Sequence, residues 1–171
     1  MSGRSGSGSR GAGARVQAPL LDRLIDDAPD QLRDPPTSAA ESMVALRNSV
    51  RRDLEALLNA RRRWKSWPES MKELDTSPIA FGIPDFGAAA FNDPRQREKL
   101  RLEIEDTIRR FEPRFLSLKV VLGDAETRLE STLRLRIEAV LHAEPAPEAV
   151  TFDTLLDPSN DRVIVRSSDG G

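Results

Sequence analysis

The fold is decided by residues 129–141, which read LESTLRLRIEAVL. From Leu133 to Leu141 every second residue is apolar, and three of the four residues between them are charged. A period of two is typical of a strand that has one face in the core and one face in water. The stretch therefore predicts a long antiparallel strand in a sheet that is covered on one side only.

Three shorter stretches are typical of further strands, and turn-forming residues separate them. Residues 123–126 (GDAE) predict a hairpin turn before the long strand, and residues 157–161 predict a turn between the last two strands. The defining residues are Leu116, Leu118, Val120 and Leu122 in the first strand, Val150, Phe152 and Thr154 in the third, and Val163, Ile164 and Val165 in the last. We expect about four strands arranged as a meander.

Two amphipathic helices are predicted ahead of the sheet. Ser38 and Glu41 have the spacing of a capping box, and Asp93 followed by Pro94 is typical of an N-cap and a first helical position. The apolar residues at helical spacing are Met43, Leu46, Val50, Leu54, Leu57 and Leu58 in the first helix and Leu100, Ile104, Ile108 and Phe111 in the second. The sequence therefore predicts an α+β fold, with N-terminal helices packed on one face of a mainly antiparallel sheet.

Composition divides the chain into three parts. Residues 1–18 are mostly Gly, Ser, Ala and Arg, which bury too little apolar surface to offset the entropy of ordering, so we expect a disordered tail. Residues 19–36 predict a short docking helix followed by a proline-containing linker. Residues 37–168 predict a single α+β domain.

The docking helix is predicted from Leu20, Leu21 and Leu24, which fall on one helical stripe. A helix of about two turns is marginal alone and must pack on something. It either docks on its own domain or binds a partner, and the residues leave both readings open.

Composition also excludes several classes of function. The chain has no cysteine, which excludes disulfides, thiolate catalysis and cysteine-based zinc sites. A formal net charge of −2 argues against a dedicated nucleic-acid binder. Apolar runs are only a few residues long, so we expect no membrane-spanning helix and no membrane insertion. The expected location is the cytoplasm.

The carboxylates show no arrangement that predicts catalysis. Glu103 and Glu105 are two residues apart on a predicted helix and do not share a face, so we interpret them as solvated helix charges. The single histidine, His142, lies near a strand end with no predicted acid or nucleophile beside it. The sequence contains no glycine-rich phosphate loop, nucleophile elbow or metal-ligand cluster. We therefore expect no catalytic residue, no metal and no cofactor.

Three segments together resemble a known family. Residues 49–61 (SVRRDLEALLNAR) are similar to an arginine-rich first-helix pattern that ends in L-L-N-[TA]-R. Residues 77–86 (SPIAFGIPDF) are similar to the loop pattern S-[IV]-x-N-Y-G-[LI]-P-D-[LF], with Ala80 and Phe81 where Asn and Tyr are usual. Residues 108–115 (IRRFEPRF) contain a Glu-Pro-Arg signature. In this order the segments resemble the TssE family of type VI secretion baseplate proteins, which is related to the baseplate wedge proteins of contractile phages.

The resemblance implies a structural subunit of a cytoplasmic, membrane-docked secretion baseplate. Its implied partners are the wedge proteins TssF and TssG and the sheath subunits TssB and TssC. The family is also labelled lysozyme-like, which leaves a peptidoglycan hydrolase as the alternative function.

Two candidate contact sites lie within the predicted domain. Glu112, Pro113 and Arg114 form the corner between the second helix and the first strand, where the charged pair either bonds internally or binds a partner. The last strand, Val163, Ile164 and Val165, has no proline or lysine to protect an open edge. We hypothesise that an extended segment of a sheath subunit pairs with this edge.

Overall fold

The computed structural model describes residue 24 and residues 38–62, 66–85, 93–123, 132–144, 146–157 and 162–168. The helices with described bounds are α1 (Ala39–Asn59), a 3-10 helix (Glu69–Thr76) and α2 (Pro94–Phe111). The strands are β1 (Arg61–Arg62), β2 (Ile83–Pro84), β3 (Phe115–Leu122), β4 (Leu133–Leu141), β5 (Glu148–Asp157) and β6 (Arg162–Ser167). The predicted tail, the linker and most of both predicted turns lie outside the described residues.

The sheet is the predicted meander. Its strand order is β3-β4-β5-β6, and each neighbouring pair is antiparallel. Leu135 of β4 lies between Leu122 of β3 and Thr154 of β5, and Thr154 in turn lies opposite Val165 of β6. These residues share one face, so the alternation in the sequence fixes which side of all four strands enters the core. The predicted α+β fold class is confirmed.

Both predicted helix starts are present. Ser38 caps α1 in a capping box, because its Oγ accepts the Glu41 N–H at 3.2 Å while its own N–H donates to Glu41 Oε2 at 2.8 Å. Asp93 caps α2 by accepting the Arg95 N–H at 2.9 Å, and Pro94 follows as the first helical residue. The 3-10 helix was not predicted, because a segment of scattered turn formers has no helical period.

The core lies between the two helices and one face of the sheet. The helices contribute three side chains with no exposed surface: Val50, Leu54 and Ile104. Ile137 of β4 has no exposed surface either. Each such side chain contributes about 1.5–3 kcal/mol when fully buried. Among the described residues, the other apolar side chains larger than alanine that are at most 1% exposed are Leu58, Ile83, Ile108, Val120, Leu141, Phe152, Leu156 and Val163.

One core prediction is wrong. Leu116 alternates with Leu118 and Val120 and is predicted to share their face, but it is 56% exposed. The register of β3 against β4 shifts between Phe115 and Ser117, which turns Leu116 outward while Leu118 packs against the core. An extra residue in one strand of an antiparallel pair has this effect, and the alternation alone cannot reveal it.

Gly82 is required where the loop after the 3-10 helix returns to α1. It has a φ of 102°, and Ile83 next to it donates its N–H to the Ala60 carbonyl at 3.1 Å. A Cβ atom at Gly82 would lie 2.5 Å from that same carbonyl oxygen. The short parallel pair of β1 and β2 therefore depends on a residue without a side chain.

We predict that Gly82→Ala lowers the free energy of unfolding by about 1–3 kcal/mol, because it combines a positive φ with a backbone clash. Urea denaturation followed by circular dichroism measures the change. Gly123→Ala is the control, since a Cβ there first meets the Arg134 side chain at 3.0 Å and its φ is not positive. Equal losses in the two variants would contradict this account of the loop.

Candidate interaction surface

A tight corner joins α2 to β3 and contains Glu112, Pro113 and Arg114. The helix ends at Phe111, although the Glu112 N–H still donates to the Ile108 carbonyl at 2.8 Å. Glu112 has a φ of −118° and a ψ of 79°, outside the helical region. This departure follows from Pro113, whose ring disfavours helical geometry in the residue before it. The predicted helix-to-strand corner is therefore present.

Glu112 is buried, and Arg114 donates to both of its carboxylate oxygens. Glu112 is only 4% exposed. Its Oε1 accepts hydrogen bonds from Arg114 Nε at 2.6 Å and from the Arg114 backbone N–H at 3.2 Å. Its Oε2 accepts a hydrogen bond from Arg114 Nη2. Burying a carboxylate costs several kcal/mol unless a cation and hydrogen bonds compensate it, and Arg114 supplies both.

The same guanidinium reaches α1. Arg114 Nη1 donates to the hydroxyl of Ser49 at 3.2 Å, and Nη2 donates to Asp53 Oδ2 at 2.7 Å. The Arg114 carbonyl accepts the His142 N–H at 2.8 Å, just beyond β4. Burial lowers the pKa of Arg114, but the hydrogen bonds and charges of Glu112 and then Asp53 outweigh it and raise that pKa above its usual value. One side chain thus connects both helices at the corner.

The geometry therefore shows internal pairing for Glu112 and Arg114. Pro113 is exposed, and the side chain of Asp53 is 39% exposed, so these two residues form the accessible surface of the corner. A partner would contact this surface rather than the buried carboxylate of Glu112. Partner contact at the corner stays a prediction.

We predict that Arg114→Ala lowers the free energy of unfolding by about 3–5 kcal/mol, because it leaves the buried charge of Glu112 uncompensated. Arg136→Ala is the control: its ion pair with Asp153 is 56% and 49% exposed, and its loss costs less than about 1 kcal/mol. Urea unfolding of the two purified variants measures the difference. A loss in Arg114→Ala as small as that of the control would show that Glu112 is not held as described.

The β6 edge of the sheet is bonded by the last residue of α1. Asn59 Oδ1 accepts the Val163 N–H at 2.9 Å, and Asn59 Nδ2 donates to the Val163 carbonyl at 2.8 Å. The side-chain amide of Asn59 therefore occupies the position in which the backbone of a neighbouring strand would bond to Val163. The prediction of open backbone groups is wrong at Val163. Because backbone groups alternate in direction along an antiparallel strand, those of Ile164 point towards β5.

The side chains of the β6 stretch also differ in direction. Val163 is 1% exposed and Val165 is 2% exposed, so both belong to the core, whereas Ile164 lies half-buried on the opposite face. A proline at Ile164 would therefore remove a hydrogen bond within the sheet. Within this stretch the backbone groups of Val163 and Val165 face the outer edge, and Arg51 Nη1 lies 3.5 Å from the Val165 carbonyl oxygen.

The β3 edge is bonded in the same way by α2. Glu105 Oε2 accepts the Val120 N–H at 3.1 Å, and Arg101 Nη1 donates to the Val120 carbonyl at 3.0 Å. Arg101 and Glu105 also pair with each other at 2.8 Å. The interpretation of Glu105 as a solvated charge is wrong, since its side chain is only 17% exposed. Glu103, on another face of α2, forms an ion pair with Arg62 at 3.2 Å.

The environment of Glu105 shifts its pKa. Burial raises it, but the hydrogen bond from Val120 and those from Arg109 and Arg101 outweigh burial, so the pKa in the folded protein is lowered. A lowered folded pKa contributes stability above the ordinary glutamate value of about 4.3. That contribution is lost as the pH falls through the folded pKa.

We predict that Glu105→Gln destabilises the protein at pH 7 and that the difference from wild type shrinks as the pH falls below about 4. Urea unfolding at a series of pH values measures it. Glu103→Gln removes one charge from the same helix without touching β3 and serves as the control. A Glu105→Gln difference that stays constant down to pH 3 would contradict the role given to this carboxylate.

The N-terminal patch is described at one position. Leu24 is helical and 73% exposed, so its side chain is not packed on the described domain. Leu20 and Leu21 lie outside the described residues. Docking of this patch on a partner stays a prediction.

Sequence reasoning assigned no contact to four residues that the geometry shows to be important: Ser49, Asp53, Asn59 and Arg101. The first three lie in the family-like segment 49–61. Ser49 and Asp53 are one helical turn apart beside the apolar stripe of α1, which is a readable signal for a shared polar contact. Ser49 is also only 3% exposed. The bonds that Asn59 and Arg101 make with strand edges depend on tertiary packing, and sequence spacing does not reveal them.

The loop of residues 77–85 packs against the end of α2. The ring of Phe81 meets that of Phe111 edge to face, with centroids 5.4 Å apart. Ala80 has no exposed surface, so a larger polar residue there would need both space and a hydrogen-bond partner. The two departures from the family pattern thus make this part of the loop apolar.

Neither a metal site nor a membrane span is found in the part of the chain that the structure describes. No group of three or more His, Asp or Glu side chains among these residues could hold a metal ion. No described helix combines the length and apolar character needed to cross a membrane.

Comparison with known proteins agrees with this architecture. The sequence model of a family described as baseplate wedge protein gp25 matches residues 44–146, from α1 to just beyond β4. TssE belongs to that family, so the resemblance is confirmed. No curated protein matches the chain. Since the family match spans more than half of the 171 residues and includes the corner at Glu112, Pro113 and Arg114, the chain belongs to the baseplate wedge protein gp25 family.

Proposed function

We propose that this chain is a baseplate subunit of a type VI secretion system, which joins the wedge complex to the contractile sheath and helps to start sheath assembly. The observation that carries the proposal is the family match over α1 to β4. The three segments that resemble TssE favour a secretion baseplate over a phage tail. The site of action is then the cytoplasmic face of a membrane-docked baseplate.

The wedge proteins TssF and TssG are the proposed partners of two surfaces. One is the accessible part of the corner, where Pro113 is exposed above the buried Glu112–Arg114 pair. The other is the N-terminal patch of Leu20, Leu21 and Leu24, supported by the 73% exposure of Leu24. The rigid corner would hold the first surface in a fixed orientation, which limits the entropy lost on binding.

The sheath subunits TssB and TssC are the proposed partners of the β6 edge. An extended segment pairing with Val163 and Val165 must first displace Asn59, which makes two neutral hydrogen bonds worth about 0.5–1.5 kcal/mol each. It must also displace the longer contact of 3.5 Å from Arg51 Nη1 to the Val165 carbonyl. The β3 edge is held by the charged pair of Arg101 and Glu105, and charge-assisted bonds are about twice as strong. Strand addition therefore costs less at β6.

The proposed role is structural and not enzymatic. The baseplate wedge family is a structural one, which is the support for this reading. Glu105, one of the two carboxylates weighed for catalysis, and the buried Glu112 are both bonded by arginines within the fold. Catalysis would require a carboxylate free to exchange a proton with substrate.

In a strain that lacks its own copy, we predict that the wild-type chain restores fluorescent sheath foci and copurifies with TssF and TssG. Glu103→Gln should do the same, because Glu103 contributes one partly exposed ion pair. The purified chain should release no soluble fragments from peptidoglycan. Two results together would instead support the hydrolase. One is peptidoglycan release that Glu103→Gln abolishes, and the other is normal sheath foci in the strain that lacks the chain.

A further inference from the structure

One ridge of α1 lies along the β6 edge of the sheet and consists of Arg51, Glu55 and Asn59. These residues are spaced four apart, so they follow one another on one face of the helix. Asn59 bonds to both backbone groups of Val163, and Arg51 Nη1 lies 3.5 Å from the Val165 carbonyl oxygen. The ridge therefore occupies part of the position that a fifth strand would take.

Glu55 anchors the two residues that reach the edge. Its backbone carbonyl accepts a hydrogen bond from Asn59 Nδ2 at 2.7 Å, and its carboxylate pairs with Arg51 at 2.9 Å. The side-chain NH2 group of Asn59 has two donors, and it bonds to Glu55 and to Val163 at the same time. When the bond to Val163 breaks, Nδ2 keeps its bond to Glu55, so the ridge can release the strand without losing its own anchor.

The ridge is more accessible than the residues that bond the β3 edge. Asn59 is exposed, and the side chains of Arg51 and Glu55 are 34% and 28% exposed. At the other edge, the side chains of Arg101 and Glu105 are each 17% exposed. An incoming segment can therefore reach the Asn59 amide from solvent and replace it, because the groups that it frees are bonded by water.

The bonds from the ridge are concentrated at one end of β6. The backbone groups of Val163, Val165 and Ser167 all point outward, since direction alternates along an antiparallel strand. Asn59 bonds to both groups of Val163, whereas Arg51 makes only a long contact with the Val165 carbonyl. An extended segment that pairs with all three residues makes more backbone hydrogen bonds than the ridge does. A contact at Val163 alone only exchanges one set of bonds for another.

We propose that the ridge of Arg51, Glu55 and Asn59 is an autoinhibitory contact that keeps the β6 edge closed to sheath subunits in the free chain. The inference rests on the strand addition proposed above and adds its regulation. A sheath segment binds only the fraction of chains in which the Asn59 amide has left Val163, and its apparent affinity is lowered by that fraction. Substitution of Asn59 should therefore raise the affinity, although it removes contacts.

Binding of the purified full chain to purified TssB and TssC measures this effect. We expect Asn59→Ala to bind about 5- to 150-fold more tightly than the wild type, because the segment no longer displaces two neutral hydrogen bonds. Asn59→Asp keeps the size of the side chain but places a second acceptor against the Val163 carbonyl, so it should also bind more tightly. Asn48→Ala is the matched control: Asn48 is exposed on the same helix and, among the described residues, makes no hydrogen bond with β6.

A blocked edge provides the second arm. Ser167 is exposed and its N–H points outward, so Ser167→Pro removes a donor that a paired segment needs without changing the core. Adding Ser167→Pro to Asn59→Ala should abolish the gain in affinity. Hydrogen exchange of the Val163 amide tests the closed edge without any partner, and it should be faster in Asn59→Ala and unchanged in Asn48→Ala.

The outcomes separate the regulation from the sheath contact itself. Equal affinities of the wild type and Asn59→Ala would overturn the autoinhibition and leave the sheath contact in place. Failure of both chains to bind TssB and TssC would refute the sheath contact, and the regulation with it. Unchanged exchange of the Val163 amide in Asn59→Ala would show that the ridge does not close the edge.

Discussion

The buried carboxylate of Glu112 is the constraint on which the rest of the domain depends. Its negative charge cannot remain in the interior without a cation, and Arg114, two residues later, supplies one only because Pro113 turns the chain between them. The remaining donors of Arg114 then reach Ser49 and Asp53, which fixes α1 against the corner. The junction between α2 and β3 is thereby connected to α1.

Polar contacts between helices and sheet recur at both edges. Asn59 satisfies the outward backbone of Val163, and Arg101 with Glu105 satisfies that of Val120. Unpaired edges invite association with other chains, so these bonds protect the free protein. They also make the two edges unequal, since the β6 edge is bonded mainly by a neutral amide, with one longer contact from Arg51, whereas the β3 edge is bonded by a charged pair. This difference supports the strand addition proposed at β6.

Much of the fold could be predicted from residue patterns. The alternation from Leu133 to Leu141 gave the direction of every inward side chain of β4, and Ser38 and Asp93 marked the helix starts, because these signals act over a few residues. Leu116 was misplaced because a bulge changes direction without changing the alternation. The position of the corner was predicted correctly. Whether Glu112 and Arg114 bond to each other could not be predicted, because that depends on the burial of Glu112, which is set by how α1 packs.

The same limit applies to the edges. Val163 and Val165 were correctly placed on an edge strand, yet the amide that bonds Val163 comes from a residue 104 positions earlier. The charged residues of β4 were readable as its outer face, whereas the position of Asp153 beside Arg136 and Arg166 emerged only from the register of the strands. Local chemistry is visible in a sequence, but complementarity between distant surfaces requires the fold.

A double-mutant cycle of Glu112→Gln and Arg114→Met tests the central claim most directly. The free energy of unfolding is measured for the wild type, both single variants and the double variant. The account predicts a coupling energy in the range of about 0.5–3 kcal/mol known for contacting residues, near its upper end, with the double variant more stable than Arg114→Met alone. A coupling energy near zero would show that the pair does not hold the corner.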